Sequence, residues 1–106
     1  MIKIRTGNIA VIFVSRRGRG DPEGYARAAA EMEAEVVNAP GYLDHDSVTS
    51  PDGRGVTISY WRDEESIAAW RTHARHSEVR SEGRAHRYDW YRVVVAEISR
   101  AHDWQR

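Results

Sequence analysis

Residues 56–98, VTISYWRDEESIAAWRTHARHSEVRSEGRAHRYDWYRVVVAEI, decide the fold, because they pass from an alternating strand through a helical stripe to a β-branched strand. In the first strand Val56, Ile58 and Tyr60 share one face and Thr57, Ser59 and Trp61 the other. Neither alternation is simply polar, so both faces need cover. Asp63 is placed to cap the following helix, on which Ile67, Trp70, Ala74 and Ser77 align with His73 at the edge. Val79 falls on the opposite side, which predicts a kink or break at 75–77 and another helical turn or two to about Tyr88. Val93, Val94 and Val95 then mark a closing strand over 91–98. The same stretch carries Trp61, Trp70 and Trp90 with His73, His76 and His86, stacking surfaces beside groups that can handle protons.

Upstream, residues 8–15 (NIAVIFVS) are nearly continuous and β-branched, as in a strand covered on both faces and central in its sheet. A basic, glycine-rich loop follows, and Asp21 and Pro22 form an N-cap and first-turn pair. Tyr25, Ala28, Ala29, Met32 and Val36 form a stripe on that helix, while Arg27, Glu31, Glu33 and Glu35 point elsewhere. Asn38, Ala39, Pro40 and Gly41 stop it. Residues 42–49 read as a strand, and Ser50, Pro51, Asp52 and Gly53 turn the chain into the strand at 55–61. The tail at 99–106 is expected to fray.

The order is βαββαβ, an α+β ferredoxin-like fold with a four-stranded antiparallel sheet and both helices on one side. The 106 residues form one domain, 1–106, with a core at about 8–98. Helices on one face leave the other apolar and aromatic, so a homodimer with sheets packed face to face is predicted.

Composition narrows the partners. Sixteen Lys plus Arg balance sixteen Asp plus Glu, leaving no global field for nucleic acid or an anionic membrane. The absence of cysteine removes disulfides, thiolate catalysis and Cys-ligated metal centres. No apolar run approaches the ~18 residues of a membrane span, and the N-terminus lacks a signal-peptide pattern, so a soluble, cytoplasmic protein is expected. Flavin or nicotinamide use is unsupported, because GRGD in the first loop is not a dinucleotide fingerprint.

The segments VIFVSRR, PGYLDHDSV, DGRGVTISYW, EESIAAWRTHARHSEVRSEGR and YDWYRVVVAEI together resemble the antibiotic biosynthesis monooxygenase (ABM) domains of the dimeric α+β barrel superfamily. The resemblance spans about residues 10–98. It implies a dimer with a pocket between the sheet and the second helix of each subunit. Some branches of the family use that pocket for cofactor-free oxidation of phenolic or quinol polyketides, others for degrading haem.

Trp70 matches the tryptophan that lines the pocket in several branches and could stack on a planar aromatic substrate; packing between helix and sheet is its structural alternative. Trp61 and Tyr60 face opposite ways, one toward the helices and the other toward the dimer interface. Asn8 could match a first-strand asparagine of the haem-degrading branch, whose ligand register falls here on Val79 and Arg80, while His73 and His76 lie too early. His73 or His76 could act as general base, and His76 with Arg80 could bind an anionic oxygen. HxxH spacing can chelate a metal, but no carboxylate partner is in register, so no metal site is expected.

The resemblance, with these residues, implies a monooxygenase that needs no cofactor and acts on a planar phenol or quinol. The alternatives are a haem-binding, haem-degrading enzyme and a non-catalytic dimeric small-molecule binding domain.

Overall fold

The computed structural model describes residues 2–18, 20, 22–80 and 88–106, with backbone alone at 22, 25, 28 and 74–80. The chain runs β1 (Ile9–Arg17), α1 (Pro22–Val36), β2 (Tyr42–Thr49), β3 (Arg54–Trp61), α2 (Glu64–Arg80) and β4 (Tyr88–Glu97). All strand pairs are antiparallel, in the order β2-β3-β1-β4. This is the ferredoxin-like arrangement, with the most apolar strand, β1, in the interior of the sheet.

β1, α2 and β4 depart from the sequence expectation by more than a single residue. β1 runs on to Arg17, whose backbone N–H donates to the Gly53 carbonyl at 2.8 Å in the hairpin turn. The helix does not break at 75–77: α2 continues to Arg80, so its apolar stripe ends before its backbone hydrogen bonding does. Tyr88 is already strand, paired with Arg17 across an irregularity at Arg16/Arg17. The expected further helical turns at 81–87, His86, and the proposed cap Asp21 lie outside the described residues.

Asp63 does cap α2. Its Oδ1 accepts the Ser66 backbone N–H at 2.9 Å and the Ser66 hydroxyl at 2.7 Å. Ser66 is buried in turn beneath Gly41, where a Cβ would stand 1.9 Å from Ser66 Oγ. Gly41 also has φ +84°, a left-handed conformation that costs other residues free energy, and its carbonyl accepts the Arg62 N–H at 2.8 Å. This glycine therefore both turns the chain out of α1 and lets it pass over the start of α2.

Directly opposed residues in the ladders point to one face. Ile9, Val11 and Phe13 thus stand with Trp61, Ser59 and Thr57 beneath the helices. Trp61 has no exposed surface; with Ile9 and Ile67 it forms the buried core, against which Val11, Val36, Ala39, Tyr42 and Trp70 pack. Its indole N–H donates to Ser59 Oγ at 2.9 Å, so the buried donor is satisfied. Tyr60 accordingly points to the other face, beside Ala10 and Asp44.

That second face, with Ile12, Val14, Val56 and Ile58 across its centre and Val94 beside Ile12 on the edge strand, carries no helix among the described residues. Val48, Val94 and Trp90 are exposed on it, and the Arg54 guanidinium lies 5.4 Å from the Trp90 ring. Under the helices β4 is also open, at Tyr91, Val93 and Val95. The tail at 101–106 has no regular structure and is exposed, and Ala101, His102, Asp103 and Gln105 line a cleft of about 390 Å³ with Lys3 and Ile4. No described helix is long and apolar enough to cross a membrane.

Candidate functional site

Trp70 stands one helical turn beyond Ile67 and is half-buried, with one side against the core. Its ring centroid is 6.1 Å from Trp61 at an interplanar angle of 31°, and 5.2 Å from His73 at 30°. The His73 Nε2 meets Glu35 Oε2 at 2.9 Å. Glu35 comes from the last turn of α1, so the first helix supplies a carboxylate to an imidazole of the second. An Nε2–H donated to that carboxylate leaves the Nδ1 lone pair as acceptor. His73 keeps about half its side chain exposed (49 %), which gives a ligand or solvent access to it.

On the sheet face beneath the helices, the β4 side is apolar and open. Val11, packed on the Trp61 cluster, pairs with Val95, and Phe13 pairs with Val93. Phe13 is flanked by Tyr91 at 5.6 Å, stacked at 25°, and by Tyr88 at 5.4 Å, edge-on at 73°. A flat apolar molecule laid on Val93 and Val95 would lie on the same sheet face as Trp70.

A second polar network lies on the other side of Trp61. The Tyr42 ring meets Trp61 edge-on at 5.9 Å, and its hydroxyl bonds to His45 Nδ1. His45 Nε2 in turn meets Glu33 Oε1 of α1 at 3.1 Å. Burial, and then the negative charges of Asp44, Glu33 and Asp46, push the Tyr42 phenol above its ordinary value of 10.0.

Of the residues singled out from sequence, the fold brings Trp70 and His73 together. Trp61 backs them from within the core and offers no surface to a ligand. Tyr60 is separated from them by the sheet; its hydroxyl donates to Asp46 Oδ2 at 3.3 Å, and burial raises its phenol first of all causes. Asn8 spends both ends of its amide on the chain: Oδ1 accepts the Arg5 N–H at 2.7 Å, and Nδ2 donates to the Arg62 carbonyl at 3.4 Å. His76 and Arg80 lie one turn apart on α2, with side chains outside those described. Among the described residues no three His, Asp or Glu gather as a metal site.

Sequence reasoning missed Glu33, Glu35, Tyr42 and His45. The two glutamates read as a solvated helix face, and their histidine partners are distant in sequence. Tyr42 and His45, three apart, would face opposite ways on a regular strand. A register shift between Tyr42 and Asp44 puts both on the helix side, opposite Trp61 and Ser59.

Residues 9–82 match the family model for antibiotic biosynthesis monooxygenase, well over half the chain. The chain belongs to the antibiotic biosynthesis monooxygenase family. It is 40 % identical over 91 residues to the uncharacterised protein YqjZ of Bacillus subtilis (strain 168), covering 86 % of this chain and 79 % of that one. It is 30 % identical over 93 residues to the jasmonate monooxygenase ABM of Pyricularia oryzae, covering 85 % of this chain but 43 % of that longer protein. Solved structures of similar fold include a mutant form of SnoaB, a cofactor-independent oxygenase from Streptomyces nogalater, at TM-score 0.70 and 15 % identity, covering 90 % of this chain and 96 % of SnoaB. PA3566 from Pseudomonas aeruginosa matches at TM-score 0.72 and 15 % identity, covering 91 % of this chain and 98 % of its own. At such identities these two structures establish the ABM fold, while the family model carries the membership.

Proposed function

We propose that this ABM-family chain is a monooxygenase that oxidises a planar phenol or quinol with dioxygen directly, using the Trp70–His73–Glu35 site. The observation that carries the proposal is the His73 imidazole, stacked on a half-buried indole and held by a carboxylate at 2.9 Å. A carboxylate in that position fixes the tautomer and stabilises the imidazolium formed when Nδ1 takes a proton. Similarity to a jasmonate monooxygenase and to a cofactor-independent oxygenase supports the reaction class.

In this mechanism the substrate ring lies on Val93 and Val95 with one edge against Trp70. His73 removes the phenolic proton, and the ring carbon of the resulting anion attacks dioxygen. The peroxide then takes up a proton and loses water, leaving a carbonyl: one oxygen atom enters the product and the other leaves as water. The apolar side chains of the floor keep water from the ring face seated on them. A second copy of the chain covers the open sheet face in this proposal.

The test is oxygen uptake by metal-free protein given anthrone- and quinol-type substrates. Removing the base in His73→Asn is expected to lower kcat by about 10²-fold or more, as for other general bases. Uptake that is unchanged in His73→Asn would remove His73 from the mechanism.

A further inference from the structure

The network of Tyr42, His45 and Glu33 has no part in the proton chemistry above, yet it joins the same aromatic cluster. Trp70, Trp61 and Tyr42 form a continuous run of oxidisable rings, with centroid separations of 6.1 and 5.9 Å. Its middle member, Trp61, has no solvent exposure. A phenol yields an electron readily only when its proton can leave at the same time, because the phenol radical cation is a very strong acid. Tyr42 has such an acceptor: its hydroxyl donates to His45 Nδ1, and His45 Nε2–H donates to Glu33 Oε1 at 3.1 Å. Glu33 is largely exposed (65 %), so the proton path ends at solvent.

We infer that Trp70, Trp61 and Tyr42 form a one-electron relay that carries oxidising equivalents from the Trp70 side of the core to Tyr42, with His45 as the proton acceptor. The oxidant is an organic peroxyl-class radical formed beside Trp70 when dioxygen chemistry goes astray. It takes one electron from the Trp70 indole and one proton from solvent, becoming a hydroperoxide. Trp61 refills Trp70, and Tyr42 refills Trp61. The Tyr42 hydroxyl proton moves to His45 Nδ1, leaving a neutral phenoxyl radical and an imidazolium paired with Glu33. A soluble thiol then gives up one electron, becoming a thiyl radical and releasing its proton to solvent, while the phenoxyl takes that electron and the proton held on His45, so that the cluster is restored. The relay protects Trp70 from oxidation at the place where dioxygen reacts.

The physiological oxidant rests on the oxygenase reading, but the relay is tested without it. Flash-quench oxidation by ruthenium(III) tris-bipyridine, without substrate, is applied to the Trp90→Phe, Trp104→Phe chain, which lacks two exposed indoles. Rapid freezing and electron paramagnetic resonance are expected to show a tyrosyl radical that disappears in Tyr42→Phe and persists in Tyr60→Phe. His45→Gln is expected to lower its yield or lifetime by about tenfold, the value of one ordinary hydrogen bond. A radical that survives Tyr42→Phe, or disappears instead in Tyr60→Phe, overturns the inference. A measurement needing no substitution at the network guards against misfolding: electron-nuclear double resonance in light and heavy water should show an exchangeable proton hydrogen-bonded to the phenoxyl oxygen, and its absence also overturns the relay. Oxygen uptake without a Tyr42 radical refutes the relay alone, whereas a Tyr42 radical without oxygen uptake refutes the oxygenase reading alone.

Discussion

At Gly41 two constraints coincide, a φ of +84° and a neighbour, Ser66 Oγ, where a Cβ would fall. Gly41→Ala should destabilise the fold by about 1–3 kcal/mol for the backbone conformation and more for the clash, read as a lower midpoint in urea. Adding Ser66→Gly should recover part of the loss. Asp63 gives a prediction with a sign in pH. The Ser66 hydroxyl and then the Ser66 N–H hold its carboxyl below the ordinary 3.8, so its stabilising effect is present above that value and is lost as pH falls through the lowered one. The difference in thermal midpoint between the native chain and Asp63→Ala should therefore shrink in acid. Both residues were legible, Asp63 as a cap and Gly41 as a stop signal. The burial of Ser66 beneath Gly41 was not, because it joins two segments that the sequence leaves 25 positions apart.

The α1 helix shows where element-level inference ran out. Its stripe correctly placed Val36 against the core, but the glutamates on its other sides face His45 of β2 and His73 of α2. Two residues apart on a helix means about 200° of rotation, which is why Glu33 and Glu35 serve different neighbours. Periodicity finds the face that meets the core; it cannot say which polar side chains meet another element. Glu35→Gln should leave the fold intact and lower kcat by about 10²-fold while changing KM little, because it positions the base. The Glu31→Gln exchange, on the exposed surface of the same helix, should change neither constant. The β2–β3 hairpin was legible from its turn residues and the interior place of β1 from its continuous apolar run, whereas the shift between Tyr42 and Asp44 that joins Tyr42 to His45 had no signature in the residue pattern.

For the whole molecule, the sheet has one face under helices and one carrying Ile12, Ile58, Val94 and Trp90 with no described helix. Such a surface favours association with an identical copy about a two-fold axis. Light scattering after size-exclusion chromatography should give twice the chain mass, and Val94→Asp, which puts a charge on that face beside Ile12, should give the monomer. A monomeric native chain would contradict the predicted dimer without touching the fold. The central claim concerns chemistry, and labelled dioxygen tests it most directly. Metal-free protein turning over an anthrone-type substrate should place one labelled oxygen atom in the product carbonyl, strongly reduced in Trp70→Phe and His73→Asn. Label in the product no greater than in the protein-free reaction, across phenol and quinol substrates, would contradict it.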